Sequence, residues 1–491
     1  MSDFKNGKKE PDKGSIGKSN GKNVKRYKLQ VLLLIEAVII CIIVIAYLFF
    51  TNYLKNKDNE PDKTPGSNTE QTEGNGNKEE DPEDDNTGKD GDITTEVTPT
   101  PDAQKELETK IETLINKADL LAKGYDYDKA IKLIESFEED YTKYDKLTKA
   151  IEDYKAEQAK LVPLGAYESV SEISHIFFHS LVADTKLAFD GDYDANGYNY
   201  YMTTISEFVE MMQQMYDDGY VLVSIHDVAK KVTKDDGTVI YEPGDIMLPP
   251  DKKPFVISQD DVNYYDYMTG DGFATRMVID ENGDPKNEMI LEDGSVSVGD
   301  YDMVPVLDTF IKEHPDFSYK GARGLIALTG YEGSLGYRTN DSASPTYEQD
   351  RETVKKVAEG MKEKGWEFAS HSYGHRDMGK ATYNFTVKDS DRWMEEVGAL
   401  IGPTDVYIFP YGIDIETTLG HYESDKFDYL KKLGFDYYCG VFKDPWIQVQ
   451  KDYVRMTRRP LDGQAMLQFP ERLKDLFDLS KVIDPARPAL K

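Results

Sequence analysis

Two carboxylates and two imidazoles in this 491-residue chain have a spacing that suits metal chemistry. Asp260 and Asp261 end the apolar run PFVISQDD, and His371 and His375 follow the run WEFAS with a glycine between them. Neutral imidazoles and a carboxylate form a three-ligand metal site that leaves one position open for water. A metal lowers the pKa of that water, and a nearby carboxylate can accept its proton. These residues therefore predict a hydrolytic metal site.

The elements that carry these residues alternate between strand-like and helix-like segments from about residue 164 onward, which favours an α/β parallel sheet or barrel. Predicted strands are ISHIFFHSL, YVLVSI, PFVISQDD, RGLIALTG, WEFASHS, VYIFPYG and FDYYCGVF, and predicted helices cover 201–218, 304–313, 347–364, 390–401 and 424–433. The Asp pair, the His pair and the run Phe409-Pro-Tyr-Gly412 all follow strands, where barrels place reactive groups. Residues 268–300, with ENGD and EDGS turns, predict a polar hairpin insertion.

The ordered set of motifs resembles the NodB-homology polysaccharide deacetylases, carbohydrate esterase family four, from about residue 163 to 491. The resemblance implies a distorted (β/α) barrel and a divalent metal, Zn²⁺ with Co²⁺ as the alternative. By the same resemblance Asp260 is the general base, and the metal ligands are Asp261, His371 and His375. The backbone N–H of Tyr411 would stabilise the oxyanion.

The resemblance also implies a set of substrate-binding residues. Pro410 belongs to the motif that shapes the acetyl site, and the run VFKDPW is similar to an acidic-Trp segment that lines the groove. Asn263 and Tyr264 follow the Asp pair where the family has a glycine, and we expect them to lean into the groove. The predicted substrate-binding residues are Tyr264, Pro410, Asp444, Trp446 and Arg459.

Two departures from the family pattern concern catalysis. Ile408 stands where the family has an arginine that orients the base, so Arg458 or Arg459 is expected to replace it. No histidine follows His421, so the terminal motif that supplies the general acid is absent. His179, at the end of the first predicted strand, is the substitute candidate because strand ends converge on the site.

The amino-terminal part predicts a membrane anchor. Residues 1–30 are basic, 31–50 form an apolar run long enough to cross a bilayer, and 51–101 form an acidic, disordered linker. The positive-inside rule keeps the amino terminus cytoplasmic, which predicts a single-pass cell-membrane protein with an extracellular catalytic domain. A cleaved signal peptide is the alternative, although no small-residue cleavage site follows the run.

Residues 102–162 show helical periodicity and predict two antiparallel helices that form a stalk, with self-association as a further expectation. The net charge of −32 argues against a nucleic-acid partner, because phosphate binding needs lysine and arginine. Cys41 and Cys439 give no disulfide framework.

The predicted function is removal of N-acetyl groups from an amino-sugar polysaccharide, a cell-wall or surface glycan, outside the membrane. Three alternatives stay open. The chain could hydrolyse O-acetyl esters on another polysaccharide, or bind glycan without turnover because the arginine and the terminal histidine are missing. It could also be a surface scaffold in which the stalk binds a partner.

Overall fold

The structure is a computed structural model that describes residues 101–164, 172–416, 420–442 and 444–490. The predicted tail (1–30), transmembrane helix (31–50) and nearly all of the linker (51–101) lie outside the described residues. Within these described ranges, no helix combines the length and the apolar character needed to span a membrane. This finding contradicts the predicted single-pass location in a cell membrane, and that prediction is withdrawn.

Seven parallel strands close into a barrel. In chain order they are β1 (Ser174–Phe178), β2 (Lys253–Asp260), β3 (Leu325–Leu328), β4 (Glu367–Ser370), β5 (Val406–Ile408), β6 (Tyr437–Val441) and β7 (Val454–Pro460). Each strand pairs in parallel with the next, and β7 pairs with β1, so the ring is complete. The predicted (β/α) barrel is confirmed.

The strand set differs from the prediction at two places. The run YVLVSI forms a strand, Tyr220–Leu222, but this strand pairs with the first half of β2 outside the ring. The seventh barrel strand, β7, was not predicted, because the three arginines of VRMTRRP obscure the alternation of apolar and polar residues. Val454, Met456 and Arg458 face the barrel interior, whereas Arg455 lies on the outer face of the strand.

Helices cover the outside of the barrel and bury apolar faces against it. The helix Ile205–Asp217, for example, begins at a capping box between Thr204 and Glu207 and buries Phe208 and Met211. The other α-helices of this part are Thr185–Ala188, Ala195–Tyr201, Ile225–Val228, Met303–Glu313, Tyr347–Glu363, Tyr383–Trp393, Ala399–Ile401, Asp425–Lys432, Gly463–Gln468 and Leu479–Val482, with a π-turn at Met394–Gly398. The predicted helices 304–313, 347–364 and 424–433 agree with these bounds to within one residue at each end.

Short antiparallel sheets occupy the connections. In the predicted insertion, Ala274–Ile279, Pro285–Ile290 and Val296–Gly299 form a three-stranded antiparallel sheet. Its two turns contain Gly283 and Gly294, both with positive φ. Further pairs are Ala229–Thr233 with Val239–Pro243, Val162–Pro163 with Met247–Leu248, and Ile447–Val449 with β7.

The amino-terminal segment contains three α-helices, Pro101–Lys123, Tyr127–Glu135 and Asp145–Gln158, where two were predicted. Three helices bury a small core of their own that includes Ala118, Ile134 and Leu147, which a two-helix hairpin could not enclose. The helices also contact the barrel, because Tyr125 packs in the core that fills the barrel interior. The helices and the barrel therefore belong to one compact unit rather than to a stalk and a separate domain. Self-association through these helices stays a prediction.

Candidate active site

The three predicted metal ligands meet at the carboxyl ends of the barrel strands. Asp261 follows β2, and His371 and His375 lie in the loop after β4. One ligand atom from each residue lies within 4.8 Å of the others, although the residues come from two loops about 110 positions apart in the chain. This arrangement is compact enough for one divalent cation.

The protonation of the two imidazoles suits a cation. His371 Nδ1 lies 2.8 Å from the carbonyl oxygen of Ile408, which only accepts, so Nδ1 carries the hydrogen and Nε2 keeps its lone pair. His375 Nε2 lies 3.7 Å from Asp261 Oδ2. Burial lowers the pKa of His375, which favours the neutral ring that a metal requires. The donor set therefore fits a divalent ion such as Zn²⁺.

A tyrosine fixes the carboxylate of Asp261. The Tyr265 hydroxyl donates to Asp261 Oδ1 at 2.6 Å and lies 2.9 Å from Thr329 Oγ1 at the end of β3. Burial raises the pKa of Tyr265 well above its ordinary value, so the hydroxyl stays protonated and keeps donating. Sequence analysis missed Tyr265, although its position four residues after Asp261 in a tyrosine-rich run was visible.

The expected base, Asp260, is held by an arginine. Arg458 Nη1 and Nη2 lie 2.7 and 2.9 Å from Asp260 Oδ1 and Oδ2, and both side chains are buried inside the barrel mouth. Burial alone would raise the pKa of Asp260, but the charge of Arg458 and its hydrogen bonds hold that pKa well below the ordinary value. Asp260 is therefore an ionised carboxylate, and its Oδ2 faces His371 Nε2 at 3.8 Å.

Arg459 does not reach the site. Consecutive strand residues point to opposite faces, so the Arg459 side chain lies outside the barrel and the Arg458 side chain lies inside it. Its guanidinium donates to Asp475 and to Ser174 Oγ on the outside of the barrel. The assignment of Arg459 to substrate binding is corrected accordingly, and of the two arginines considered, Arg458 is the one beside Asp260.

The residues after the Asp pair turn away from the groove. Tyr264 is buried, and its hydroxyl donates to Asp302 Oδ2 at 2.8 Å behind the loop. The Asn263 amide donates to the Thr329 carbonyl and accepts from the Thr329 N–H at 3.1 Å, which ties the loop to the end of β3. The prediction that Asn263 and Tyr264 lean into the groove is thus wrong, and the neighbouring Tyr265 faces the site instead.

The Asp444 and Trp446 segment follows the carboxyl end of β6. The Trp446 ring is the partner of the Arg455 guanidinium at 5.4 Å, and Arg455 is on the opposite face of β7 from Arg458. The Asp444 carbonyl accepts from Thr457 Oγ1 at 3.1 Å, and its side chain is exposed. The assignment of Asp444 and Trp446 to substrate binding stays a prediction.

Tyr411 and Pro410 are at the site. They form a tight turn after β5, in which Pro410 is buried and Tyr411 adopts the left-handed conformation with φ of 57°. The Tyr411 ring lies 4.5 Å from the His375 ring at an interplanar angle of 63°, and the residue is 64% exposed. Tyr411 therefore forms an accessible wall next to a candidate ligand.

His179 follows β1 at the rim of the same mouth. Its Nδ1 donates to the Tyr201 carbonyl at 3.2 Å, because a carbonyl only accepts, and this leaves Nε2 available. His179 is close enough to Asp260 and His375 for its charge to influence their pKa values. It also acts on the pKa of Asp462, which burial raises.

Backbone strain is concentrated in the loops of this site. Among the described residues, eight non-glycine residues have positive φ, and five of them lie in the three site loops: Asp261, Tyr264, Ser372, His375 and Tyr411. Each such conformation costs on the order of 1–3 kcal/mol and persists only where the surroundings impose it. The barrel therefore holds these loops in shapes that place the side chains rather than in their most relaxed shapes.

Comparisons with known proteins agree with this site. Residues 339–438, which include His371, His375 and Tyr411, match the family model for polysaccharide deacetylase. A deacetylase from Streptococcus pyogenes, solved with acetate, shares 14% identity over 62% of this chain and 98% of its own, with a TM-score of 0.34. A de-N-acetylase from Aggregatibacter actinomycetemcomitans shares 15% over 62% of this chain and 99% of its own, with a TM-score of 0.36.

A comparison with curated protein sequences finds no match. Both TM-scores are below 0.5. The expected resemblance is confirmed. Residues 339–438 of the chain thus match the polysaccharide deacetylase family, as the motifs of the sequence predicted.

Proposed function

We propose that this chain is a divalent-metal-dependent hydrolase that removes N-acetyl groups from an amino-sugar polysaccharide. The observation that carries the proposal is the meeting of Asp261, His371 and His375 with a separate ionised carboxylate, Asp260. One carboxylate can hold a cation while the other accepts a proton, which is the division of labour that amide hydrolysis needs.

A bound divalent ion would polarise the acetamide carbonyl and lower the pKa of a water molecule. Asp260 Oδ2 is the oxygen placed to accept the proton of the attacking water, because Oδ2 faces the same point as His371 Nε2. Arg458 keeps Asp260 in its ionised form and fixes its plane. The Tyr411 backbone N–H is the proposed donor to the oxyanion.

His179 is the proposed acid for the leaving group. An amine is a poor leaving group until it is protonated, whereas the alcohol released from an ester leaves more readily. With Nδ1 donating to the Tyr201 carbonyl, the doubly protonated His179 ring would carry a second proton on Nε2 for the leaving amine, and such a donor at the rim favours an amide substrate over an O-acetyl ester. Replacing His179 with alanine should therefore slow release from N-acetyl groups far more than from O-acetyl groups.

The test is acetate release by the full chain from N-acetylglucosamine oligomers. The protein is stripped with a chelator, reloaded with Zn²⁺ or Co²⁺, and assayed beside Asp260→Asn and His371→Ala. A suitable control is His421→Ala, since His421 is exposed and pairs with Asp452 at 3.3 Å. Loss of release in the two site variants and in the stripped protein, with the control active, would support the proposal.

The same assay distinguishes the alternatives. Metal retention without release from any acetylated glycan would favour a glycan-binding protein without turnover. Release from O-acetylated glycans alone would make the protein an esterase. Release that persists in the stripped protein would contradict metal dependence.

A further inference from the structure

A groove of about 580 Å³ opens beside His375, away from Asp260. Tyr331 and Tyr411 line it together with His375, and three cations also line it, namely Arg376, Lys388 and Arg392. Because the groove shares His375 with the candidate metal site, a polymer whose acetyl group sits at that site would extend into it.

The charge of this groove is opposite to that of the whole chain. The chain has a net charge of −32, yet the exposed charged side chains of the groove are basic. The carboxylate that lines it, Asp389, is buried and accepts the N–H groups of Tyr373 and Gly374 at 2.8 and 2.9 Å. The groove therefore offers cations to a ligand in a protein that would otherwise repel anions.

Two of the three cations, Arg376 and Lys388, are in no close ion pair within the described residues, although the charge of Arg376 acts on the buried Asp389 carboxylate. Arg392 pairs with Glu396 at 2.8 Å and lies over the Tyr373 ring at 4.0 Å. Across the described residues, no ion pair with a carboxylate is found for either Arg376 or Lys388. Both side chains are exposed, so their charges are available to a bound molecule.

The aromatic wall is fixed relative to the metal ligands. Tyr331 is stacked on Tyr265 with ring centroids 5.1 Å apart, and Tyr265 holds Asp261. Tyr331 and Tyr411 are 38% and 64% exposed, so each presents ring surface to the groove. A rigid ring with a polar edge suits the mixed apolar and hydroxyl surface of a sugar.

We infer that this groove binds a polysaccharide segment that carries negative charge, a carboxylate or phosphate group on a sugar neighbouring the one that is deacetylated. The inference rests on the proposed function and specifies its substrate class. Tyr331 and Tyr411 contact the sugar rings, while Arg376 and Lys388 pair with the anion. An uncharged N-acetylglucosamine polymer would contact Tyr331 and Tyr411 but would offer no anion to the two cations.

The experiment compares kcat/KM for three oligomers of equal length in the metal-loaded full chain. One is neutral N-acetylglucosamine, one alternates N-acetylglucosamine with a uronic acid, and one carries phosphate. We expect kcat/KM to be about 10-fold higher for an anionic oligomer at low salt, with the advantage shrinking as salt screens the exposed charges. The better of the two anionic oligomers identifies the source of the charge.

The variant with both Arg376→Gln and Lys388→Gln should bring the anionic-to-neutral ratio close to one. The matched control is Lys380→Gln, an exposed lysine that pairs with Asp377 at 2.8 Å outside this groove, and it should keep the ratio. Equal kcat/KM for all three oligomers in the unaltered protein, or a preserved ratio in the double variant, would overturn the inference while leaving the deacetylase intact.

A second measurement does not need turnover. Calorimetry measures the affinity of the Asp260→Asn variant for the same oligomers. We expect an anionic oligomer to bind about 10-fold more tightly than the neutral one. If no glycan is deacetylated but this preference in binding is found, the proposed reaction fails and the anionic groove stands. Equal binding of neutral and anionic oligomers would overturn the groove itself.

Discussion

Arg458 on β7 binds both carboxylate oxygens of Asp260 on β2, at 2.7 and 2.9 Å, across the interior of the barrel. The family pattern places an arginine at the position of Ile408, on β5. In this chain the positive charge beside Asp260 is the Arg458 guanidinium, which comes from a different strand but lies at the same end of the barrel. A barrel permits this exchange because the ends of all its strands point toward one centre.

Replacing Arg458 with methionine should therefore damage both stability and activity. Asp260 would be left buried without a partner, which costs about 3–5 kcal/mol when one member of a buried pair is removed. Activity should fall about 100-fold or more, because the base would lose its fixed orientation. Urea unfolding and acetate release measure the two effects.

Arg459→Met is the matched control, since Arg459 also pairs with a carboxylate but on the outer face of β7. It should lower stability while leaving kcat largely intact in the folded fraction. Equal losses of kcat in both variants would mean that Arg458 acts only through the stability of the barrel.

Tyr265→Phe should weaken metal binding. The change removes the hydroxyl that orients Asp261, and loss of such a supporting hydrogen bond typically costs about 10–100-fold in metal affinity. Competition with a chromophoric chelator measures the affinity for Zn²⁺. Tyr264→Phe removes a neighbouring hydroxyl that bonds to Asp302, so we expect it to change stability and not metal affinity. The same affinity in Tyr265→Phe and the unaltered chain would contradict this role.

His226 lies at the end of the barrel opposite the candidate site, and it should make the free energy of unfolding depend on pH. Burial opposes its charge, but hydrogen bonds to Asp405 and Glu367, at 2.9 and 2.6 Å, raise its pKa to about 10. In the unfolded chain the pKa is about 6.5, so the folded protein holds a proton that the unfolded chain loses. The stabilisation is complete below pH 6.5 and disappears as the pH rises toward 10.

The measurement is the free energy of unfolding in urea between pH 6 and 10, for the unaltered chain and for His226→Gln. The variant should show a flatter decrease in this range. His421→Gln serves as the control, because His421 is mostly exposed and screened by water. Parallel pH profiles for the unaltered chain and His226→Gln would contradict the assignment.

The parts of the site that sequence predicted best are those fixed by residue type and strand end. Asp261, His371 and His375 follow apolar runs, and barrel geometry brings such positions together. The predictions that were wrong depend on the direction in which a single side chain points. Arg458 and Arg459 differ only in which face of β7 they occupy, and no run of apolar residues marked that strand.

The loop after β2 shows the same limit. Whether Tyr264 or Tyr265 faces the metal ligands depends on two left-handed residues, Asp261 and Tyr264 itself. Non-glycine residues seldom adopt the left-handed conformation, so the local sequence does not predict it at these two positions. The contacts of Asn263 with the end of β3 impose it, and those contacts exist only after the barrel has closed.

Tyr125→Ala should destabilise the whole unit. The Tyr125 ring is buried in the barrel-interior core and its hydroxyl donates to the Asp316 carbonyl at 3.0 Å, so truncation should cost about 3–5 kcal/mol. Leu120→Ala, on the same amino-terminal helices but 57% exposed, should change stability by no more than about 0.5 kcal/mol. Equal unfolding midpoints for both variants would show that Tyr125 contributes no packing to the barrel.

Tyr125 joins the amino-terminal helices to the base of the barrel, together with the Gly124 carbonyl that accepts the Lys320 N–H at 2.7 Å. Detaching the helices would expose to water the apolar surface that Tyr125 covers. Helices and barrel are therefore expected to melt in one calorimetric transition rather than two. A fragment that begins at residue 164 would lack Tyr125, and the apolar surface that it leaves exposed would favour aggregation.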